Sequence, residues 1–188
     1  QISGVCALSG PTIATELATR LPAVMVSAAE QATLAETVQS CFDVSWMRVY
    51  TSTDLIGVEL AGACKNVIAL AAGMCDGLSI GDNAKSAVLA RGLAEITRLG
   101  EAMGAQMDTF FGVAGVGDLA TTCFSPHGRN RSCGEALGAG MSLSEYEAST
   151  SSVVEGVATS RSIRSLAKKH DVEMPIAETV YDVLFNGL

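Results

Sequence analysis

The sequence predicts a mainly α-helical protein in which a short α/β segment over residues 1–52 precedes an all-helical domain over residues 53–188. Two observations support this fold class. Up to Thr51, short apolar runs alternate with helical patterns, as in a parallel α/β sheet. From Asp54 onward the strand signals fade and helical patterns follow one another. With 48% hydrophobic but only 5% aromatic residues, the core should consist of closely packed helices.

The α/β segment contains three predicted strands and two predicted helices. The strands are short runs of apolar and β-branched residues bounded by turn signals. In the second helix, Leu34, Val38 and Phe42 follow at spacings of four and predict one apolar stripe. The predicted strands are 5–8, 23–27 and 46–51, and the predicted helices are 12–19 and 30–42.

The helical domain opens with a pattern that is apolar around nearly its whole circumference. This helix, over residues 55–74, should therefore be buried. The next helix has Asp82 or Asn83 as its predicted N-cap and runs to about Gly104.

Three further signals predict helices near the end of the chain. Ser144 and Glu147 have the spacing of a capping box. A helix over 153–169 ends in cations, which favour a helix C-terminus. Pro175 fits the first turn of a last helix, whose apolar face comprises Ile176, Val180, Val183 and Leu184.

Charge and composition exclude several classes of protein. The chain carries 12 Lys and Arg against 20 Asp and Glu, a net charge of −8, which disfavours a nucleic-acid binder. Its six cysteines form no CxxC pair, and neither histidine lies near a cysteine cluster, so we expect reduced thiols and no metal site. The apolar run Val67–Cys75 is far shorter than the roughly 20 residues of a membrane span. We therefore expect a cytoplasmic protein.

Lys65 and Asn66 are unusual because they interrupt the most apolar helix. Desolvation disfavours the charged form of a buried lysine, which suits acid–base chemistry near neutral pH. The alternative is a structural ion pair, for example with Glu59. The helix alone does not decide between them.

Gly112 to Gly117 form the pattern GxxGxG, which differs from the GxGxxG of a dinucleotide-binding loop and follows no clear strand. A close-packed turn between helices is the preferred interpretation. The next residue, Asp118, is a candidate for holding a polar substrate or for orienting Lys65.

Residues 125–131 are predicted to form a polar loop that contains Arg129 and Arg131. Guanidinium groups suit phosphate oxygens, so this loop is the obvious anion site in an acidic protein. The alternative is a solvated loop with surface arginines. Neither His127 nor His170 has the surroundings of a catalytic base.

These features belong to a series of motifs: Leu8-Ser-Gly-Pro11, Gly57-Val-Glu-Leu60, Lys65-Asn66, Gly81-Asp-Asn83, Arg91-Gly-Leu-Ala-Glu95, Gly117-Asp118, Thr122-Cys123, Arg129-Asn-Arg131 and Val154-Glu-Gly156. Their order closely resembles that of the bacterial NAD(P)-dependent glycerol-3-phosphate dehydrogenases. The resemblance implies that 1–52 is the end of a truncated Rossmann-type dinucleotide-binding domain and that 53–188 is the substrate-binding, catalytic domain.

The resemblance also implies an activity and a site. The parent enzyme would interconvert sn-glycerol 3-phosphate and dihydroxyacetone phosphate by hydride transfer with NAD or NADP, in glycerophospholipid precursor synthesis. Lys65 matches the acid–base lysine of the family. The implied substrate contacts are Gly10, Thr12, Lys65, Asn66, Asp118, Thr122, Gly128, Arg129 and Asn130, and the implied cofactor contacts are Ala14, Arg129, Val153 and Glu155.

The chain departs from the family pattern in two respects. Gly128 stands where many bacterial members have serine, so a hydroxyl contact to substrate is lost or replaced by a backbone N–H. The chain begins at Gln1, and the glycine-rich cofactor loop and a second substrate lysine of the family lie upstream of that point. We therefore expect the isolated chain to be inactive.

Two other hypotheses remain open at this stage. The chain could be a non-catalytic helical module for dimerisation or phosphate binding, or part of a related hydroxyacid dehydrogenase. The arginine-containing loop argues against a substrate without phosphate. The expected partners are a small phosphorylated substrate and a second copy of the chain in a homodimer, with no nucleic acid and no membrane.

Overall fold

The structure, a computed structural model, describes residues 4–188 and is mainly α-helical, as the sequence predicts. A small sheet with two helices comes first, and the remaining helices pack around one long central helix. The first part comprises β1 (Ala7–Ser9), α1 (Ala14–Ala18), β2 (Ala23–Ala28), α2 (Ala32–Phe42) and β3 (Met47–Ser52). The second comprises α3 (Leu55–Gly77), α4 (Gly81–Ala102), α5 (Met107–Phe111), a π-helical turn (Val113–Gly117), α6 (Asp118–Phe124), α7 (Arg129–Gly138), α8 (Leu143–Ser149), α9 (Glu155–His170) and α10 (Pro175–Phe185).

The sheet has the order β1-β2-β3 and is mixed rather than parallel. β2 and β3 are parallel, as predicted, because α2 forms a crossover that returns the chain to the same end of the sheet. β1 runs antiparallel to β2, so the prediction of a purely parallel piece is wrong there. The connection through the five-residue α1 reverses the chain direction instead of crossing back along the sheet.

The apolar stripe predicted on α2 is only partly buried. Ala35 is the buried residue of this helix, whereas Leu34 and Val38 are half-buried and the Phe42 side chain is 44% exposed. The buried part of α2 is therefore narrower than the predicted stripe.

The central helix α3 organises the rest of the fold. As predicted, it is largely buried, and α4, α6, α7, α9 and α10 all pack against it. By length and composition α3 could cross a membrane, but 61% of its apolar window is buried inside the protein, as in a core helix. All six cysteines lie in the described part of the chain and are free thiols; burial raises the pKa of Cys64 and Cys123 to about 12.

Helix α7 approaches α3 so closely that glycine is required on both sides. Gly73 and Gly77 on α3 face Gly134 and Gly138 on α7, with a spacing of four residues in each helix. A Cβ atom at Gly134 would lie 2.0 Å from the Leu70 carbonyl oxygen. The backbones are thus in contact along this seam, and the first turn of α7 is held against the middle of α3.

Two helices, α4 and α8, begin at other residues than the sequence predicts. The N-cap of α4 is Ile80 rather than Asp82 or Asn83, which lie inside the first turn, where an acidic residue favours the helix dipole. A capping box is present at α8, but Ser142 and Glu145 form it rather than Ser144 and Glu147, because the helix starts two residues earlier than expected.

The last two helices follow the prediction closely. Helix α9 carries Lys168, Lys169 and His170 in its last turn, and α10 has Pro175 in its first turn. On the predicted apolar face of α10, Val180 and Leu184 are buried, while Ile176 and Val183 are only half-buried. Ala177 completes the buried face.

A buried carboxylate joins α4 to α10. The Glu95 side chain is buried and accepts hydrogen bonds from the backbone N–H groups of Ile176 at 2.8 Å and Ala177 at 3.2 Å. It therefore occupies the electropositive N-terminus of α10, which would otherwise bury unpaired donors. Burial also raises the pKa of Glu95.

The glycine seam makes a direct prediction about stability. Gly134→Ala should destabilise the protein by about 1–3 kcal/mol, because the added methyl group forces α7 away from α3. Urea unfolding of the variant and parent measures the difference. Gly112→Ala is the matched control, since a Cβ there would make only ordinary contacts, the nearest at 3.4 Å. Equal stabilities of the two variants would contradict the close-packing argument.

Candidate active site

A cavity of about 570 Å³ lies where the end of β1 and the start of α1 face α3, α6, α7 and α9. It brings together every site residue expected from the sequence except Val153, whose side chain is 69% exposed. The expected residues that line the cavity are Gly10, Thr12, Ala14, Lys65, Asn66, Asp118, Thr122, Gly128, Arg129, Asn130 and Glu155.

Lys65 and Asp118 form an ion pair in the wall of this cavity. The Lys65 ammonium donates to Asp118 Oδ2, and the side chains are 20% and 4% exposed, respectively. The sequence offered two acidic partners for Lys65: Asp118 is the one it contacts, whereas Glu59 is exposed to solvent. The paired ammonium thus sits at the cavity surface with a buried counter-ion behind it.

Two hydroxyl groups complete the surroundings of the Asp118 carboxylate. Ser9 Oγ donates to Asp118 Oδ2 at 3.4 Å, which links the end of β1 to α6. Thr122 Oγ1 donates to the Asp118 carbonyl at 2.7 Å and contacts Oδ1 at 3.4 Å. Burial raises the pKa of Asp118, while Lys65 and these hydroxyls act in the opposite direction.

The glycine-rich segment before Asp118 is a tight turn between α5 and α6, as preferred from the sequence. It forms one π-helical turn, Val113–Gly117. A Cβ atom at Gly115 would lie 2.1 Å from the Phe110 carbonyl oxygen, so glycine is needed for packing. This turn directs α6 so that Asp118 faces Lys65.

Asn130 links three helices through its buried amide. Its Nδ2 donates to Asn66 Oδ1 on α3 at 3.0 Å and to Glu155 Oε2 on α9 at 3.4 Å. Its Oδ1 accepts from the Gly156 N–H at 2.8 Å. The Asn130 side chain is therefore engaged within the protein and fixes the cavity wall.

Arg129 and Arg131 point in different directions. Residues 129–131 belong to the first turn of α7 rather than to the predicted loop. Arg131 turns away from the cavity and bonds Asp76 at 2.7 Å, where Lys85 also binds at 2.7 Å. Arg129 lines the cavity, and its Nη2 bonds Glu155 Oε1 at 2.5 Å. Of the two arginines, only Arg129 is placed to meet a ligand in the cavity.

Gly128 is the N-cap of α7, and no side chain among the described residues caps this helix. The first N–H groups of a helix are free to bind an anion when they lack a cap. A Cβ atom at Gly128 would lie 3.1 Å from the Thr122 carbonyl oxygen, so a side chain here would fit only if α6 or α7 shifted slightly.

Five residues that line the cavity were not singled out as site residues from the sequence: Ile13, Gly62, Thr121, Ser125 and His127. Helical spacing could have predicted Gly62 at the cavity, because it precedes Lys65 by about one turn and so lies on the same face of α3. The sequence places His127 in a loop without the surroundings of a catalytic base, and it did not predict this residue at the cavity. Gly10, by contrast, was expected, and a Cβ atom there would lie 2.6 Å from the Val24 carbonyl oxygen.

Comparisons with known proteins agree on one family. A sequence model described as "NAD-dependent glycerol-3-phosphate dehydrogenase C-terminus" matches residues 54–188. The chain is 53% identical over 180 residues to glycerol-3-phosphate dehydrogenase [NAD(P)+] 2 of Salinibacter ruber, covering 96% of this chain and 52% of that protein. It is 51% identical to the glycerol-3-phosphate dehydrogenase [NAD(P)+] of Macrococcus caseolyticus, covering 100% of this chain and 57% of that protein. The chain thus spans about half the length of the curated relatives it matches.

A solved structure gives the same result for the fold. The crystal structure of glycerol-3-phosphate dehydrogenase from Coxiella burnetii superimposes with a TM-score of 0.96 at 37% identity, over 98% of this chain and 57% of that one. The family resemblance stated from the sequence motifs is confirmed.

The buried ion pair generates a prediction about stability and pH. Lys65→Met leaves the Asp118 carboxylate buried without its cation, which raises the pKa of Asp118 further and costs on the order of 2–4 kcal/mol at neutral pH. A group with a raised folded-state pKa stabilises fully below its unfolded pKa, and that contribution is lost as pH rises through the folded-state pKa. The variant should therefore approach the parent in stability near pH 4 and fall behind toward pH 7.

Chemical unfolding at several pH values tests this. The control is the double variant Lys65→Met with Asp118→Asn, which has no buried charge and should lose the pH-dependent part of the deficit. A deficit of the same size at acid and neutral pH would show that the ion pair is not its cause.

Proposed function

The chain belongs to the NAD-dependent glycerol-3-phosphate dehydrogenase family, and on that premise we propose that it supplies the substrate-binding and proton-transferring part of an enzyme that interconverts sn-glycerol 3-phosphate and dihydroxyacetone phosphate. One observation carries the proposal. A single cavity holds the Lys65–Asp118 pair and the uncapped N-terminus of α7 with Arg129 beside it. The first can transfer a proton, and the second can bind a phosphate.

The proposal includes a division of the chain into two domains. Residues 1–52, with the mixed sheet, would be the end of the dinucleotide-binding domain, and residues 53–188 would be the helical substrate domain. The family match begins at residue 54, directly after β3, which supports this boundary.

Lys65 is the proposed acid–base residue. When bound, NADH or NADPH would supply the hydride that reduces the ketone. Negative charge then develops on the C2 oxygen, where the Lys65 ammonium stabilises it and donates a proton; in the reverse direction the neutral amine accepts that proton. Asp118 holds the Lys65 side chain in place at the cavity surface.

The phosphate group of the substrate would bind at the first turn of α7. Arg129 offers a guanidinium, and the N–H groups that follow Gly128 offer donors at the positive end of the helix dipole. The Arg129 guanidinium is already paired with the Glu155 carboxylate. The phosphate must therefore share the guanidinium with that carboxylate or displace it. Asn130 contributes by fixing α7 against α3 and α9.

The other expected substrate contacts lie along the same wall. Gly10 and Thr12 come from the turn after β1, where Thr12 Oγ1 donates to the Gly10 carbonyl at 3.1 Å. Asn66 and Thr122 flank the ion pair on α3 and α6. Because the Thr122 hydroxyl donates to Asp118, its oxygen is left to accept a hydrogen bond from a substrate hydroxyl.

The cofactor residues fit a bound NAD or NADP in part. Ala14, Arg129 and Glu155 line the cavity, and Arg129 and Glu155 can exchange hydrogen bonds with polar groups of a dinucleotide. Val153 lies outside the lining residues and is largely exposed, so its contact would require the cofactor to extend beyond the cavity rim.

Lys65→Met in the full-length enzyme tests the catalytic role. Loss of the proton donor should lower kcat by about 10²–10⁴, with the affinity for NADH or NADPH little changed. Steady-state kinetics and thermal unfolding are measured on the same preparation, so that the loss is expressed per folded molecule. Lys169→Met, on the exposed end of α9, is the control and should retain kcat. A Lys65→Met turnover within a few-fold of the parent would refute the assignment.

Arg129→Ala in the full-length enzyme tests the phosphate site. A charge-assisted phosphate contact contributes about 1.5–3 kcal/mol, so KM for dihydroxyacetone phosphate should rise roughly ten- to a hundred-fold. Inhibition by inorganic phosphate should weaken in parallel. Arg48→Ala removes an exposed arginine on β3, outside the residues that line the cavity, and should leave both constants unchanged. If Arg129→Ala lowers kcat alone, the guanidinium does not bind the phosphate.

A further inference from the structure

The charged side chains that line the cavity cancel one another. Lys65 is paired with Asp118, and Arg129 is paired with Glu155. A dianionic phosphate entering this cavity therefore meets two cations that are already neutralised, and its own charge is not balanced. Among residues 4–188, one other cavity-lining side chain can add a positive charge, and that is His127.

His127 is placed at the anion-binding end of the cavity. It lies on the turn between α6 and α7, directly before the N-cap Gly128 and two residues before Arg129. Its backbone N–H donates to Ser125 Oγ at 3.2 Å, which holds the turn. The exposed imidazole ring makes no hydrogen bond to any residue in the described part of the chain, so both ring nitrogens are available to a ligand.

We propose that His127 is a further binding residue of this site, whose imidazolium contacts the phosphate of the substrate beside Arg129. The inference rests on the proposed phosphate site. The proposed contact also compensates for glycine at position 128. Gly128 offers no hydroxyl to a ligand, and a Cβ atom there would lie only 3.1 Å from the Thr122 carbonyl oxygen. The neighbouring imidazole provides the donor that position 128 cannot.

The contact makes anion binding depend on pH. Imidazole gains its charge within the range of about pH 5 to 8. The charged groups that share the cavity are Lys65 on α3, Asp118 on α6, Arg129 on α7 and Glu155 on α9. The affinity of the site for a dianion should therefore increase as pH falls, because only the protonated ring carries a positive charge.

Sulfate is the probe for this test, because it stays a dianion over the whole range, whereas a phosphate monoester changes its own charge near pH 6. Inhibition by sulfate against dihydroxyacetone phosphate is measured in the full-length enzyme from about pH 8 to about pH 5.5. Sulfate should bind about two- to five-fold more tightly at the acid end, as expected for an exposed ion pair.

Variants isolate the contribution of the ring. His127→Gln keeps a hydrogen-bond donor but no charge and should lose most of the pH dependence, while any contribution of Asp118 remains and can be subtracted. His127→Arg should bind sulfate tightly at all pH values. His170→Gln is the matched control: the chain has two histidines, and His170 lies at the end of α9, outside the lining residues.

The outcomes separate this inference from the proposed function. If Arg129→Ala weakens sulfate inhibition but His127→Gln shows the same pH dependence as the parent, the phosphate site stands and the role of His127 is refuted. If sulfate does not compete with substrate in the parent, the phosphate site itself is refuted, and His127 with it. A pH dependence lost in His127→Gln and retained in His170→Gln supports the inference.

Discussion

The backbone contact between α3 and α7 is the constraint on which the candidate site depends. Four glycines let the two helices approach until a single Cβ atom would lie 2.0 Å from a carbonyl oxygen of the other helix. At this distance Asn130 on α7 reaches Asn66 on α3 directly, at 3.0 Å. Lys65 on α3 and Arg129 on α7 then line one cavity, although 64 residues separate the two asparagines that join these helices. A wider helix spacing would break this amide contact.

Two ion pairs supply the charged side chains of the cavity. Lys65 and Arg129 each carry a carboxylate partner, but the two pairs differ in burial. Asp118 is almost fully buried and gives Lys65 a fixed position, which suits a group that must meet one substrate oxygen. The pair of Arg129 and Glu155 is 54% and 40% exposed, and such pairs are weak enough for a ligand to disrupt. The rigid pair thus lies where chemistry is proposed, and the exchangeable pair lies where an anion would bind.

Sequence reasoning predicted this fold well where a signal is local. The burial of α3, the cations that end α9 and Pro175 at the start of α10 all follow from side chains a few residues apart. It failed where two nearby starts were equally plausible, as for the capping box at α8. It also failed for 129–131: a polar segment with two arginines is typical of a loop, but packing of Gly134 against Leu70 holds it as the first turn of a helix.

By itself, the sequence determined the family, through an ordered series of motifs, and it determined the unusual position of a lysine in an apolar helix. The tertiary structure alone decided which of two candidate carboxylates that lysine contacts: its partner is Asp118, 53 residues away, rather than Glu59 in the same helix. It also separated Arg129 from Arg131 and placed His127 at the cavity. The physical reason is that helical periodicity and capping depend on neighbours within a turn or two, whereas the partner of a charge depends on how distant helices pack.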